Sequence, residues 1–225
     1  MNEPQNNNRI VLITGTSRGI GLATANTFLQ KGYTVLGTST SGRSPISHDH
    51  FKAYELDLSS QDSIDSLTKK LLDEGKQIDH LINNAAIMID QQDGKIDMKR
   101  LRDTVEVNLY GTISLTEGSI PMLRTGGSII NISSELASLS QRMTNRAYSY
   151  RISKTALNMY TLTLSQRLEE KGIRVYSFAP GWVKTDMGGE NALRDPEEPA
   201  LEIFRLSTSE QRSGYFYEVD SVRDW

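Results

Sequence analysis

The sequence predicts an α/β fold, doubly wound around a mostly parallel sheet of seven strands with helices on both faces. Three observations carry this reading. Short β-branched runs alternate with helix-length stretches between Ile10 and Ala179, the order that parallel strands joined by crossover helices produce. The strands are apolar along their whole length, as in "RIVLITG", which suits burial on both faces. A glycine-rich turn, "TGTSRGIG" at residues 14 to 21, stands between the first strand and its helix.

After a polar tail over residues 1 to 8, "RIVLITG" is the first strand, and in "SRGIGLATANTFLQKG" Ile20, Ala23, Thr24, Thr27 and Phe28 recur at helical spacing until Gly32 ends the helix. "YTVLGTS" and "FKAYELDL" are the second and third strands. Between them "TSGRSPISHDH" is too short, and too broken by Gly42 and Pro45, for a crossover helix; a loop with room for one helical turn is expected. A helix over 60 to 74, a strand "HLINNAA", a long helix ending around Met122 and a strand "GSIINIS" follow. A helix from about Arg146 to Lys171, the strand "IRVYSFA", a helix in "EEPALEIFRL" and a small strand near Tyr215 to Tyr217 complete the order.

A chain of 225 residues is long enough for one substantial core and short for two, so residues 1 to 225 are expected to form a single domain. A net charge of -3 and the lack of a basic patch argue against a nucleic-acid partner. With no cysteine, disulfides, thiolate metal sites and a cysteine nucleophile are excluded, and no metal site is expected. No run approaches eighteen apolar residues and the polar start lacks a signal-peptide core, so no membrane association and a cytoplasmic location are expected.

The stretch "AYSYRISKTA" offers two tyrosines and one lysine. Tyr150 and Lys154 are four apart and share one helix face, whereas Tyr148 is six from Lys154 and points elsewhere. A cation beside a phenol favours phenolate and makes a better acid-base group; an aromatic core residue beside a snorkelling lysine is the plainer alternative. Gly15, Gly19 and Gly21 permit a tight turn that brings backbone N–H groups at a helix N-terminus against a pyrophosphate.

The motifs TGTSRGIG, "NNAA" at 83 to 86, Asn108 in "VNLYG", "NISS" at 131 to 134, Tyr150-x-x-x-Lys154 and "PGWVKTDM" at 180 to 187 stand in the order of the short-chain dehydrogenases/reductases, which the chain resembles from about Ile10 to its end. "NISSELAS", "PGWVKTDMGG" and "SGYFYEVDSVRDW" are most similar to the small carbonyl reductases of the Sniffer and C-factor type. The resemblance implies a Rossmann sheet, an oxidoreductase passing a hydride between a nicotinamide dinucleotide and an aldehyde, ketone or quinone-like carbonyl, and delivery from the B face.

By that resemblance Tyr150 is the proton donor in reduction, Ser134 hydrogen-bonds the substrate oxygen, Lys154 holds the nicotinamide ribose and lowers the Tyr150 pKa, and Asn108 holds a water linking Lys154 to solvent. Of the serine pair, Ser134 rather than Ser133 matches the family position. The glycine loop with Ser17, Arg18 and Ile20 would take the pyrophosphate, Asp57 and Leu58 the adenine, Asn84 and Ala85 the floor of the site, and Pro180, Gly181, Val183 and Thr185 the nicotinamide end. Ala86 departs from the family's usual glycine. The second strand ends in "GTSTSGRS" without an acid; Arg18 and Arg43, helped by the Ser39, Thr40 or Ser41 hydroxyls, would pair with a 2'-phosphate, so NADP is expected over NAD.

Residues 187 to 210 occupy the place of the family's substrate lid and are short, implying an open cleft. Trp182, Met187, Leu136 and Met143 are candidate apolar wall residues, and Arg142 and Arg146 either greet an acidic substrate or face water. Pairing into a homodimer through the helices carrying Asn108 and Tyr150 is a further implication. A dinucleotide-binding signalling or sensor protein with little turnover is the alternative that the C-factor likeness keeps open.

Overall fold

The computed structural model describes residues 9–91, 94–140, 146–219 and 221–225. Its strands are β1 (Ile10–Ile13), β2 (Thr34–Ser39), β3 (Phe51–Glu55), β4 (Ile78–Asn83), β5 (Leu123–Ile132), β6 (Arg174–Ala179), β7 (Phe216–Glu218) and β8 (Ser221–Arg223). They form one sheet in the order β3-β2-β1-β4-β5-β6-β7-β8. All neighbours are parallel except β7 and β8. The doubly wound fold is therefore as predicted, with one strand more: β8 turns back on β7, and its three residues are too few and too polar for a strand pattern to stand out.

Burial on both faces is visible strand by strand. Leu12, Leu36, Leu81, Ile129 and Val175 point to one core, and their neighbours Val11, Val35, Ile82, Ile130 and Tyr176 to the other, the two-residue alternation of a pleated sheet. The first core is closed by α2 (Gln61–Asp73), α4 (Thr112–Ser119) and α5 (Tyr148–Leu168) through Leu67, Leu71, Leu115, Leu164 and Leu168. The second is closed by α1 (Gly19–Gln30) and α6 (Glu197–Thr208) through Ala25, Phe28, Leu29, Ile203 and Leu206. Residues 197 to 208 thus cover the sheet, with Phe204 edge-on to Phe28, and of the segment 187 to 210 only Met187 and Gly188 line the cleft described below.

The loop expected after β2 is present, and the expectation of one long helix before β5 is corrected. The loop after β2 contains no helical turn; the Ser39 hydroxyl donates to the Arg43 carbonyl at 2.7 Å and accepts its N–H at 3.0 Å, folding the chain back on itself. The long helix ending at Met122 is instead α3 (Met98–Val105), a π-helical turn over Glu106–Gly111, then α4. At Gly111 the turn presses so close to the Leu58 carbonyl that an added Cβ would lie 1.9 Å from the oxygen, and π-turns of this kind gather at functional sites. No described helix is long and apolar enough to cross a membrane.

Candidate active site

The strand order reverses between β1, which leads to β2, and β4, which leads to β5. Ligands of such sheets bind at that switch point, beyond the carboxyl ends of the strands. A cleft of about 460 Å³ opens there.

Its phosphate end is built from the β1–α1 turn. Gly15 and Gly19 take the left-handed backbone that side chains resist, with φ of 75° and 57°. Gly21 packs beneath: a Cβ there would lie 2.1 Å from the Gly15 carbonyl oxygen and 2.5 Å from Asn84 Nδ2. The Arg18 side chain provides no cap for α1, whose first turn contains no acid, so its N–H groups and positive dipole end are presented to the cleft. This uncapped, acid-free terminus behind a glycine turn fits a dinucleotide pyrophosphate. Ser17, Arg18 and Ile20 line the same end. Arg18 also forms an exposed ion pair with Asp186 at 2.7 Å, across the cleft mouth.

The floor comes from the β4–α3 loop. Thr14 Oγ1 accepts the N–H groups of Asn84 and Ala85, each at 2.9 Å, and the Asn84 amide donates to the Thr14 carbonyl at 2.8 Å. Asn84 therefore stitches β1 to β4. Asp57 and Leu58 line the cleft after β3. The Asp57 carboxylate accepts from the N–H and hydroxyl of Ser59; Ser60, not Asp57, caps α2. On the nicotinamide side Pro180, Gly181, Val183 and Thr185 face the cleft. Thr185 holds its own loop, accepting the Gly188 N–H at 3.1 Å and donating to the Val183 carbonyl at 3.3 Å.

Ser134, Tyr150 and Lys154 converge on the opposite wall. Ser134 lines the cleft with Tyr150, and its hydroxyl accepts the Leu136 N–H at 3.2 Å, capping a short turn after β5. Both serines of the pair line the cleft, but Ser133 spends its hydroxyl on Asn158 at 2.7 Å. Burial pushes the phenol up to about 12, with the Ser134 hydroxyl opposing, and brings the Lys154 ammonium down to about 7. The net shift of the phenol is therefore upward, with desolvation its largest cause. Tyr148 lies away from the cleft, in an apolar hollow with Ile152, Met159 and Trp225, so the helix-face argument separates the two tyrosines correctly.

Three expected residues are not on the cleft wall. Asn108 is fully buried; its Oδ1 accepts the Ile87 N–H at 2.8 Å while Nδ2 donates to the Ile87 carbonyl at 2.8 Å and to Ser153 Oγ at 3.1 Å. Its side chain is therefore a clamp on the loop. Arg43 is exposed and lies off the lining, and the Ser39 hydroxyl is committed to its backbone. Gly21 sits under the loop. Leu136 and Met187 are wall residues as expected, but Trp182 points its indole N–H at the Gly188 carbonyl, 2.7 Å away, and stands outside. Arg146 is exposed, and Arg142 and Met143 fall outside the described residues. Sequence reasoning missed Ile87 and Met88 on the wall and Asp186 at the mouth; none carries a pattern of its own.

A parallel sheet with a glycine turn at its switch point and a tyrosine, serine and lysine on the facing wall defines a nucleotide-cleft α/β protein with acid-base groups. The short chain dehydrogenase family model matches residues 9–195, and the chain belongs to that family. A 1-hydroxy-2-glutathionyl-2-methyl-3-butene dehydrogenase of Rhodococcus sp. (strain AD45) is 27% identical over 219 residues, covering 94% of this chain and 97% of the relative. The structure of carbonyl reductase Sniffer of D. melanogaster superposes with a TM-score of 0.85 at 27% identity, covering 97% of this chain and 99% of the other. NADPH-bound carbonyl reductase from chicken fatty liver gives a TM-score of 0.86 at 28% identity, covering 96% and 94%.

Proposed function

We propose that this oxidoreductase is a single-domain, NADP-dependent carbonyl reductase acting on aldehydes, ketones or quinone-like compounds. The observation that carries the reading is the convergence of Ser134, Tyr150 and Lys154 on the wall of the cleft that holds the phosphate turn. NADPH, when bound, would supply the hydride. Everything else falls to the side chains. The phenol, raised to about 12, holds its proton throughout the neutral range and is the donor to the carbonyl oxygen; Ser134 gives that oxygen a second hydrogen bond as charge develops on it. Lys154 supplies a buried cation beside the phenol and a hydrogen-bond donor toward the ribose. Asn108 acts by holding Ile87 and the Ser153 hydroxyl in place, next to Lys154 in sequence.

The phosphate end favours NADP through Arg18, whose guanidinium can exchange the exposed Asp186 carboxylate for a 2'-phosphate. Arg43 carries less of this preference, because its side chain lies off the lining. The homodimer through the helical stretch carrying Asn108 and through α5 remains part of the reading, with light scattering as its test.

The test of the reaction is NADPH consumption against a panel of diketones, aldehydes and quinones. Turnover of at least one class is expected. Tight NADPH binding with no turnover would instead favour a sensor protein, a reading that leaves the Tyr150 and Ser134 pair without a task.

A further inference from the structure

Asp90 is a carboxylate buried to 2% exposure that the chemistry above does not use. It lies on the β4–α3 loop, and its Oδ2 accepts the N–H of Ser149 at 2.6 Å. Ser149 is the second residue of α5 and the neighbour of Tyr150. The helix needs this partner. Its own N-cap residue, Ala147, makes no side-chain cap and sits at φ 54°, the only non-glycine residue with positive φ among those described. A methyl side chain cannot satisfy the free N–H groups of a first turn, and the left-handed backbone persists only where the surroundings impose it. Asp90 caps α5 from a different loop.

The same loop is held at its other end. Ile87 has both its N–H and its carbonyl bound to the Asn108 side chain at 2.8 Å. Residues 87 to 90 therefore span from the π-turn to the start of α5, and the anchor Ile87 and its neighbour Met88 form cleft wall.

We infer that Asp90 is a positioning residue for reduction: by capping α5 at Ser149 it fixes the height of the Tyr150 phenol and, through the same loop, the wall against which the carbonyl compound lies. Asp90 touches neither substrate nor cofactor in this scheme. The inference rests on the reading of Tyr150 as proton donor. Small displacements of a reacting group can cost about a hundredfold in rate, so even partial release of the first turn of α5 should be felt at the chemical step.

The test compares Asp90→Ala with Asp90→Asn, whose amide oxygen still accepts the Ser149 N–H. Rates are measured well below the melting temperature of each variant, with the near-isosteric, acceptor-free Asp90→Leu as the second loss variant should alanine fail to fold. Asp90→Ala is expected to lower kcat by about tenfold or more, leave the NADPH dissociation constant within about twofold, and speed amide exchange over residues 148 to 151. Asp90→Asn should restore most of both losses. Wild-type kcat in folded Asp90→Ala, or Asp90→Asn as impaired as Asp90→Ala, overturns the assignment, as does an equal loss of NADPH binding. The exchange measurement needs no turnover. A wild type inactive on every carbonyl rejects the reductase reading, whereas unchanged exchange in the loss variant rejects the role of Asp90.

Discussion

The Lys154 ammonium donates to the Ile132 carbonyl at 2.7 Å and stands 5.7 Å from the centroid of the Tyr150 ring. One buried cation thus ties the helix carrying the phenol to the end of β5, where Ser133 and Ser134 begin. The i to i+4 spacing places it there, and the sheet beneath fixes its hydrogen-bond partner.

Tyr150→Phe is expected to remove nearly all carbonyl reduction and leave NADPH binding almost unchanged, since it deletes one hydroxyl facing the cleft. Tyr148→Phe should be mild, because that ring lines a different hollow. Steady-state rates with fluorescence-quenching binding curves check both. Greater damage at the chemical step from the Tyr148 change would refute the assignment.

Lys154→Met should inactivate the protein while stabilising it. Burial brings the lysine down to about 7 in the folded state, from an ordinary 10.5. The cost of burying its charge is therefore fully present below pH 7, and declines as pH rises toward the unfolded value. The variant's melting temperature should exceed wild type at pH 6 by roughly 3 °C or more, and the gap should narrow by pH 10. A constant gap across that range would show that the charge is not its source.

The class of fold and most of the cleft were legible because they depend on local chemistry. The glycines of the turn are required by backbone direction, and the Tyr150 and Lys154 pair by helix period. What escaped depends on long-range geometry. The inward turn of Asn108 follows from the π-turn and from Gly111 meeting Leu58, 53 positions earlier in the chain. Asp90 reads as one more polar loop residue until its distance to Ser149 is known. Arg43 reads as a phosphate partner from its place after the acid-free end of the second strand, but the direction of its side chain depends on the loop, where the Ser39 hydroxyl binds its backbone.

His80 should make the protein acid-sensitive. It is buried with its ring nitrogens near the Tyr33 hydroxyl at 3.3 Å and the Ser128 hydroxyl at 2.9 Å, and burial lowers it to about 4 from 6.5. Between these values the unfolded chain takes up a proton that the folded one refuses, so stability falls as pH drops from 6.5 to 4, by about 3 kcal/mol in all. Urea unfolding of His80→Gln should show a flatter profile over that window. An equally steep one would assign the loss to carboxylates.

Gly21→Ala tests the packing under the phosphate turn. Its methyl would meet the Gly15 carbonyl and the Asn84 amide at distances that no rotamer relieves, so the turn must move. Overpacking of this order costs about 1 to 3 kcal/mol. A lowered melting temperature is expected together with weakened binding of NADPH and NADH alike, since the turn serves the pyrophosphate common to both. Selective loss of NADPH would mean that the displaced atoms belong to a 2'-phosphate site.

Arg18 and Arg43 divide the question of which dinucleotide is preferred. A charged hydrogen bond is worth about 1.5 to 3 kcal/mol, so Arg18→Ala should weaken NADPH by about tenfold or more and leave NADH nearly unchanged. Arg43→Ala should have a small effect, its side chain being off the cleft lining. Asp186→Asn frees Arg18 from its exposed partner; exposed pairs contribute about 0 to 1 kcal/mol, so NADPH should tighten by no more than about fivefold. Dissociation constants for both cofactors across the three variants decide it. Equal losses of NADPH and NADH in Arg18→Ala would move that guanidinium from the 2'-phosphate to the pyrophosphate, and a wild type preferring NADH would remove the basis for NADP altogether.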